Sequence, residues 1–204
     1  MDLSKIITFI YSEQFGWFCL INRMKKATKR VFQLLLLGCF FLATAAITSK
    51  EWKINPARVQ FEGTAVEGYF EGVMGKLQFN EAQLSASSFD LYLEVASIST
   101  GNELKDEHAR GSNWFNAKKY PRIRFKSSSF EKVGSSYVVE GKMHIKDVVK
   151  TVRIPFSFIQ NKDEALLQSS FSLNRKDFNI QGNAIGFLVG DEIRIQLALP
   201  LKEL

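Results

Sequence analysis

From Glu51 to the C-terminus, apolar and polar side chains alternate with a period of two, and no other feature narrows the fold as far. Phe89-Asp90-Leu91-Tyr92-Leu93-Glu94-Val95 keeps this rhythm, as do Ile123-Arg124-Phe125-Lys126 and Val152-Arg153-Ile154-Pro155-Phe156-Ser157-Phe158. Ile193-Arg194-Ile195-Gln196-Leu197-Ala198-Leu199 repeats it near the end. Such segments are strands with one buried and one wet face, whereas a parallel sheet covered on both sides would show unbroken apolar runs. The phase puts Leu93, Phe125, Phe156 and Leu197 inside and Arg124, Arg153 and Arg194 outside.

The pattern predicts about eight strands, near 51–62, 68–80, 88–97, 121–130, 136–146, 150–160, 165–175 and 191–200, the first breaking at Pro56. Turn residues separate them: Gly134-Ser135-Ser136, Lys146-Asp147, Asn161-Lys162-Asp163, and Gly182-Asn183 with Gly186 and Gly190. Gly63, Gly68, Gly72 and Gly75 fall in or beside one long strand, where they predict coiling or bulges. A sandwich shares this pattern, but a closed barrel removes the sheet edges that these polar faces leave unprotected. The expected fold is therefore all-β, a closed antiparallel barrel of about eight strands, with room inside for side chains or one ligand. One segment departs from it: Asn102 to Arg110 reads as a short helix over the barrel mouth, with Asn102 as N-cap, early acids and Gly111 as its end.

The chain's formal charge of +6 is misleading as a guide to partners. Six of its 27 Lys and Arg and two of its 21 Asp and Glu lie in residues 1–45, which leaves 21 bases against 19 acids, interspersed, from residue 46 onward. Nucleic acid is not an expected partner of so balanced a surface. Both cysteines, Cys19 and Cys39, lie in the same N-terminal stretch, so the barrel has neither disulfide nor thiolate ligand.

That stretch is a leader. Met24-Lys25-Lys26-Ala27-Thr28-Lys29-Arg30 is a basic n-region, Val31 to Leu42 an apolar core, and Ala43-Thr44-Ala45-Ala46 a cleavage site. Twelve apolar residues reach only ~18 Å as a helix, short of a bilayer core. Residues 24–45 are expected to be a signal peptide cut near Ala45, with a retained signal anchor and lipoprotein processing at Cys39 as alternatives. Translation is expected to start at Met24, which makes residues 1–23 an upstream extension, and 46–204 the periplasmic domain.

One stretch is too specific to be generic. Ala96-Ser97-Ile98-Ser99-Thr100-Gly101 leads to Lys105-Asp106-Glu107-His108-Ala109-Arg110-Gly111-Ser112-Asn113-Trp114-Phe115-Asn116, and then to Lys119-Tyr120-Pro121-Arg122-Ile123-Arg124-Phe125. It resembles the YceI-like family of periplasmic, lipocalin-like barrels. Tyr137 to Lys150 resembles that family's hairpin and Phe171 to Phe178 its segment around an Asn-Arg pair. The sequence departs from the family at Asn55-Pro56-Ala57-Arg58, at Ala109 where a leucine is usual, and at Asp147-Val148-Val149. The resemblance implies a lipocalin-like barrel that binds a polyisoprenoid or other long-chain lipid, with His108 and Arg110 as a polar mouth. The alternative for this pair is structural, His108 bonding loop backbone and Arg110 an acid.

By phase, the apolar cavity would be lined by Phe89, Leu91, Leu93, Val95, Ile123, Phe125, Phe156, Phe158, Phe171 and Leu173, although for any single one plain core is the better reading. No enzyme is expected. There is no Gly-x-Ser-x-Gly elbow, Asp106-Glu107 and Asp191-Glu192 are adjacent rather than opposed, and Gly72 and Gly75 precede no helix. Two histidines, no cysteines from residue 46 onward and no acidic cluster of ligand spacing argue against a metal site, and no cofactor is called for. His144, beside Glu140 and Lys142 in the alternation, reads as solvated. The expected function is that of a periplasmic carrier of a long amphipathic lipid, with a homodimer left open. Two rivals remain: a lipid-modifying enzyme using His108 as base, and a solid barrel acting as a stress-related interaction protein through its outer surface.

Overall fold

The computed structural model describes residues 50–182 and 189–204. The expected signal peptide with Cys39, the stretch before it with Cys19, and the turn residues Asn183 and Gly186 lie outside them. The described residues belong to the unit Thr48–Leu204.

Eleven strands form one antiparallel sheet: β1 (Glu51–Ile54), β2 (Arg58–Gly63), β3 (Val66–Glu71), β4 (Met74–Gln78), β5 (Ser88–Glu94), β6 (Ile98–Ser99), β7 (Arg122–Val133), β8 (Ser136–Ile145), β9 (Val148–Asn161), β10 (Glu164–Asn174) and β11 (Glu192–Glu203). Three pairs are halves of longer strands, β1 with β2, β3 with β4 and β5 with β6, which reduces the eleven to eight staves. Because β1 pairs with β4 on one side and β11 on the other, the sheet closes into a barrel. The eight segments anticipated from alternation are these staves.

Each break has a local cause. Proline has no N–H to give a ladder, so at Pro56 the first stave bends. Five steps from Ile54 to Val59 face four steps from Leu201 to Leu197, which is a one-residue bulge. Across the bend Asn55 N–H still donates to Pro200 at 2.9 Å. The second stave breaks beside Gly72 and Gly75, whose φ values of 68° and 122° are left-handed backbone that glycine tolerates.

The alternation also fixes the faces. Leu93, Phe125 and Phe156 are buried, Leu197 is half-buried, and Arg124, Arg153 and Arg194 are exposed and paired with Asp90, Glu131 and Glu62. His144 is exposed. A bidentate bond from Arg124, at 2.8 and 2.6 Å, holds the Asp90 carboxyl below its ordinary range.

The interior is filled unevenly. At the end carrying the β7–β8 and β9–β10 turns, Phe79 lies among Phe89, Phe130, Tyr137, Phe156 and Phe158, with ring centroids 4.7–6.2 Å away. Trp52 donates its indole N–H to the Phe79 carbonyl at 3.1 Å. This end is a solid aromatic plug, and most of its stabilisation comes from apolar area removed from water.

The wall is not uniformly laced. The β9–β10 ladder runs from Asn161–Glu164 only to Phe156–Ser169, although both strands continue toward the other end. There a 3-10 turn, Arg175–Phe178, lies beside β9, tied by a Lys150–Asp177 ion pair at 2.9 Å and by Lys146 Nζ on the Asn179 carbonyl at 2.7 Å.

Candidate functional site: an apolar cavity beneath the helix

Helix α1 (Glu103–Arg110) lies over the end of the barrel opposite the plug. Its start is set as the sequence predicts: the Asn102 side chain accepts from the Lys105 N–H, satisfying one of the donors a helix leaves open. Asp106 accepts from both the N–H and the hydroxyl of Thr100, at 2.7 Å each, and so pins the helix to the end of β6. Gly111 follows the last helical residue, its N–H bonded to the His108 carbonyl.

Beneath α1 the barrel is hollow. A cavity of about 450 Å³ is walled by Phe61, Val66 and Phe70 of β2 and β3, Ile98 of β6, Ile123 of β7, Ile145 of β8, Leu173 of β10, and Ile193 and Ile195 of β11. The helix contributes Leu104, Lys105, His108 and Ala109, and the chain after it Trp114 and Phe115. Leu104 is 61% exposed, an apolar side chain at the rim. Ala109, where the family's usual leucine would be bulkier, leaves part of this space open.

The sequence-derived candidates separate into groups. Ile123, Leu173 and His108 line the cavity. Phe89, Phe156 and Phe158 belong to the aromatic plug; Phe125 is buried in the same cluster, with Leu91 and Phe171 half-buried against it. Leu93 packs with Val59, Phe61, Phe70 and Ile98, and Val95 is buried where its N–H meets the Pro121 carbonyl. The Arg110 guanidinium donates to the Ala96 carbonyl at 3.2 Å rather than to an acid, and it is not on the cavity wall. His108 is exposed and has no side-chain hydrogen bond among the described residues.

Sequence reasoning passed over Arg175. It is the sole buried charged side chain among the described residues, 5% exposed, and it lines the cavity. Nε donates to the Gly190 carbonyl at 2.6 Å, and Nη1 to those of Ile180 at 2.6 Å and Gln181 at 2.8 Å. Nη2 lies 3.4 Å from Asp191, and the Trp114 ring is 5.7 Å away. A rigid, multi-donor guanidinium suits such a cluster of carbonyls, and its bonds offset the cost of burying the charge. The signal was in the alternation, because Arg175 continues the inward phase of Phe171 and Leu173. Phe61 and Phe70 were likewise within predicted strands but not singled out. Among the described residues no three His, Cys, Asp or Glu side chains gather closely enough to hold a metal ion.

An eight-stave barrel, plugged at one end and hollow beneath a helix at the other, defines a β-barrel of the ligand-enclosing type. Residues 40–201 match the model of the YceI-like domain, and the chain belongs to that family. It is 27% identical over 168 residues to the protein YceI of Escherichia coli O157:H7, covering 75% of this chain and 87% of that one. Among solved structures it is similar to BcnA of Burkholderia cenocepacia, at 27% identity and a TM-score of 0.66, covering 71% of this chain and 95% of the other. A polyisoprenoid binding domain from Saccharophagus degradans, implicated in plant cell wall breakdown, shares the fold at 9% identity and a TM-score of 0.55, covering 75% and 98%.

Proposed function

We propose that this protein is an exported carrier that holds the tail of a long-chain amphipathic lipid, a polyisoprenoid or a chain of similar character, inside the barrel. One observation carries the reading: the interior is filled with aromatic rings at one end and empty at the other, where an apolar wall ends in a rim with Lys105 and His108. A ligand of this shape gains ~0.8 kcal/mol for each methylene it buries, so the wall supplies affinity and the rim orientation. The Saccharophagus domain of the same fold, described as polyisoprenoid-binding, supports the choice of lipid. No reaction is assigned to the site, whose other ionisable wall residues among those described are Lys105 and the carbonyl-bound Arg175.

Organic extraction of the purified protein, read by mass spectrometry, should release an apolar long-chain molecule. If nothing extracts and added prenyl lipids do not bind, the carrier reading falls and the outer surface becomes the place to look. Export rests on the leader alone: N-terminal sequencing of the mature protein should give Ala46 or Ile47, and a start at Met24 or a lipid-modified Cys39 would refute the expected cleavage.

A further inference from the structure

Resting on the carrier reading, we infer that the occupant is a short, single-chain amphiphile with an anionic head, a carboxylate or a phosphate, and a tail of about fifteen to twenty carbons. The length follows from where the cavity stops. Two residues further in from the wall residues Ile123, Ile145, Leu173 and Ile195, the same four strands carry Phe125, Met143, Phe171 and Leu197. All four of these inner residues pack in or against the continuous core, and none lines the cavity. They form its floor. The Phe125 ring lies over Gly141, where a β-carbon would strike it, so this layer is close-packed rather than a passage to further space. At interior packing density a methylene takes roughly 27 Å³. A cavity of about 450 Å³ therefore admits about seventeen methylenes, or three to four isoprene units. Any longer tail must leave the rest of its length outside the floor and wall.

The head follows from the charges. Three ionisable side chains face the cavity, Lys105, His108 and Arg175, and all are basic; no carboxylate lines it among the described residues. The acids of α1 are directed elsewhere, with Asp106 held by Thr100 and with Glu103 and Glu107 exposed and off the wall. The Arg175 donors are engaged with carbonyls and Asp191, so Lys105 and His108 are the groups that meet the head, while Arg175 adds its field from the wall. An anion at the rim gains charge-assisted bonds from Lys105 and His108 and the field of Arg175, whereas a neutral head gains ordinary hydrogen bonds only.

The test is a binding series on the purified protein: straight-chain carboxylic acids of ten to twenty-four carbons, alkyl phosphates and primary alcohols of matched length. Tryptophan emission supplies the readout, since Trp114 is on the cavity wall. The dissociation constant should fall roughly fourfold per added methylene and level off between fifteen and twenty carbons. Acids and phosphates should bind at least tenfold tighter than the alcohol of equal length. Substituting both Lys105→Gln and His108→Gln should cut that head preference several-fold, to the part Arg175 supplies, and leave the length limit in place; both positions are exposed, so the fold is not at stake. Met143→Ala, which deepens the floor, should move the limit to longer chains. Affinity that keeps rising to twenty-four carbons, or alcohols that match the acids, would overturn the inference while leaving the carrier reading intact. If no member of the series binds, the inference falls, and extraction together with added prenyl lipids decides the carrier reading separately.

Discussion

Truncating one inward side chain at each end of the barrel tests whether the interior is filled unevenly. Phe156 is 3% exposed and touches four rings, Phe79, Phe89, Phe130 and Tyr137, with centroids 5.3–6.4 Å away. Its neighbours are staves of the barrel and cannot collapse into the space a truncation leaves. Phe156→Ala should therefore cost about 3–5 kcal/mol, the lost transfer energy plus a residual cavity. With a slope of ~2 kcal/mol per molar urea, the unfolding midpoint of lipid-free protein should drop by about 2 M. Leu173 shares the inward phase but faces the cavity, so part of its surface already lacks packing partners. Leu173→Ala should accordingly cost only about 1–2 kcal/mol, below the usual range for a buried leucine. Urea titration followed by far-UV circular dichroism reads both. Equal losses, or a milder loss at Phe156 than at Leu173, would refute the division into a solid and a hollow end.

Two further outcomes follow from the polar groups. Arg175→Met strands three carbonyl oxygens, of Ile180, Gln181 and Gly190, and should cost about 3–6 kcal/mol at roughly one to two each. A thermal unfolding midpoint unchanged from the parent protein would show that those carbonyls find other donors. Tyr137, buried and donating to Glu81 at 2.6 Å, has its phenol pushed up to about 12, by burial first and by the Glu81 bond and charge after it. A raised folded-state value means this stabilisation is present in full below pH 10 and is lost as pH rises from there through 12. Absorbance at 295 nm should show a single tyrosine ionising about two pH units late, and Tyr137→Phe should remove that late step.

The staves were legible because period-two alternation is a direct record of one wet and one dry face, and even the break at Pro56 follows from a missing N–H. The helix was legible for the same kind of reason: Asn102 is a local capping signal, and the cap forms. What alternation cannot record is whether the space on the dry side is occupied. Phe156 and Leu173 share a phase, yet one is packed by rings and the other borders a void. The difference is made by Phe79, which continues the inward phase of Leu77 just beyond the end of β4, and whose ring enters the middle of the plug. Arg175 shows the opposite failure. Its phase was readable, but a charged side chain is normally assigned to water, and only the three carbonyls that the turn brings together make its burial tolerable.

The partial ladder between β9 and β10 has a mechanical consequence. Around most of its circumference the barrel is a hoop stitched by backbone hydrogen bonds, which must break for the hoop to grow. Over the hollow end, between Val148–Pro155 and Ser170–Asn174, the hoop is instead buttoned by side chains, Lys150 to Asp177 and Lys146 to the Asn179 carbonyl. Rotating a lysine is far easier than unzipping a strand, so this seam would yield to an oversized occupant before the laddered strands beside it do. The cavity thus has a stiff floor and, at this seam, a compliant wall.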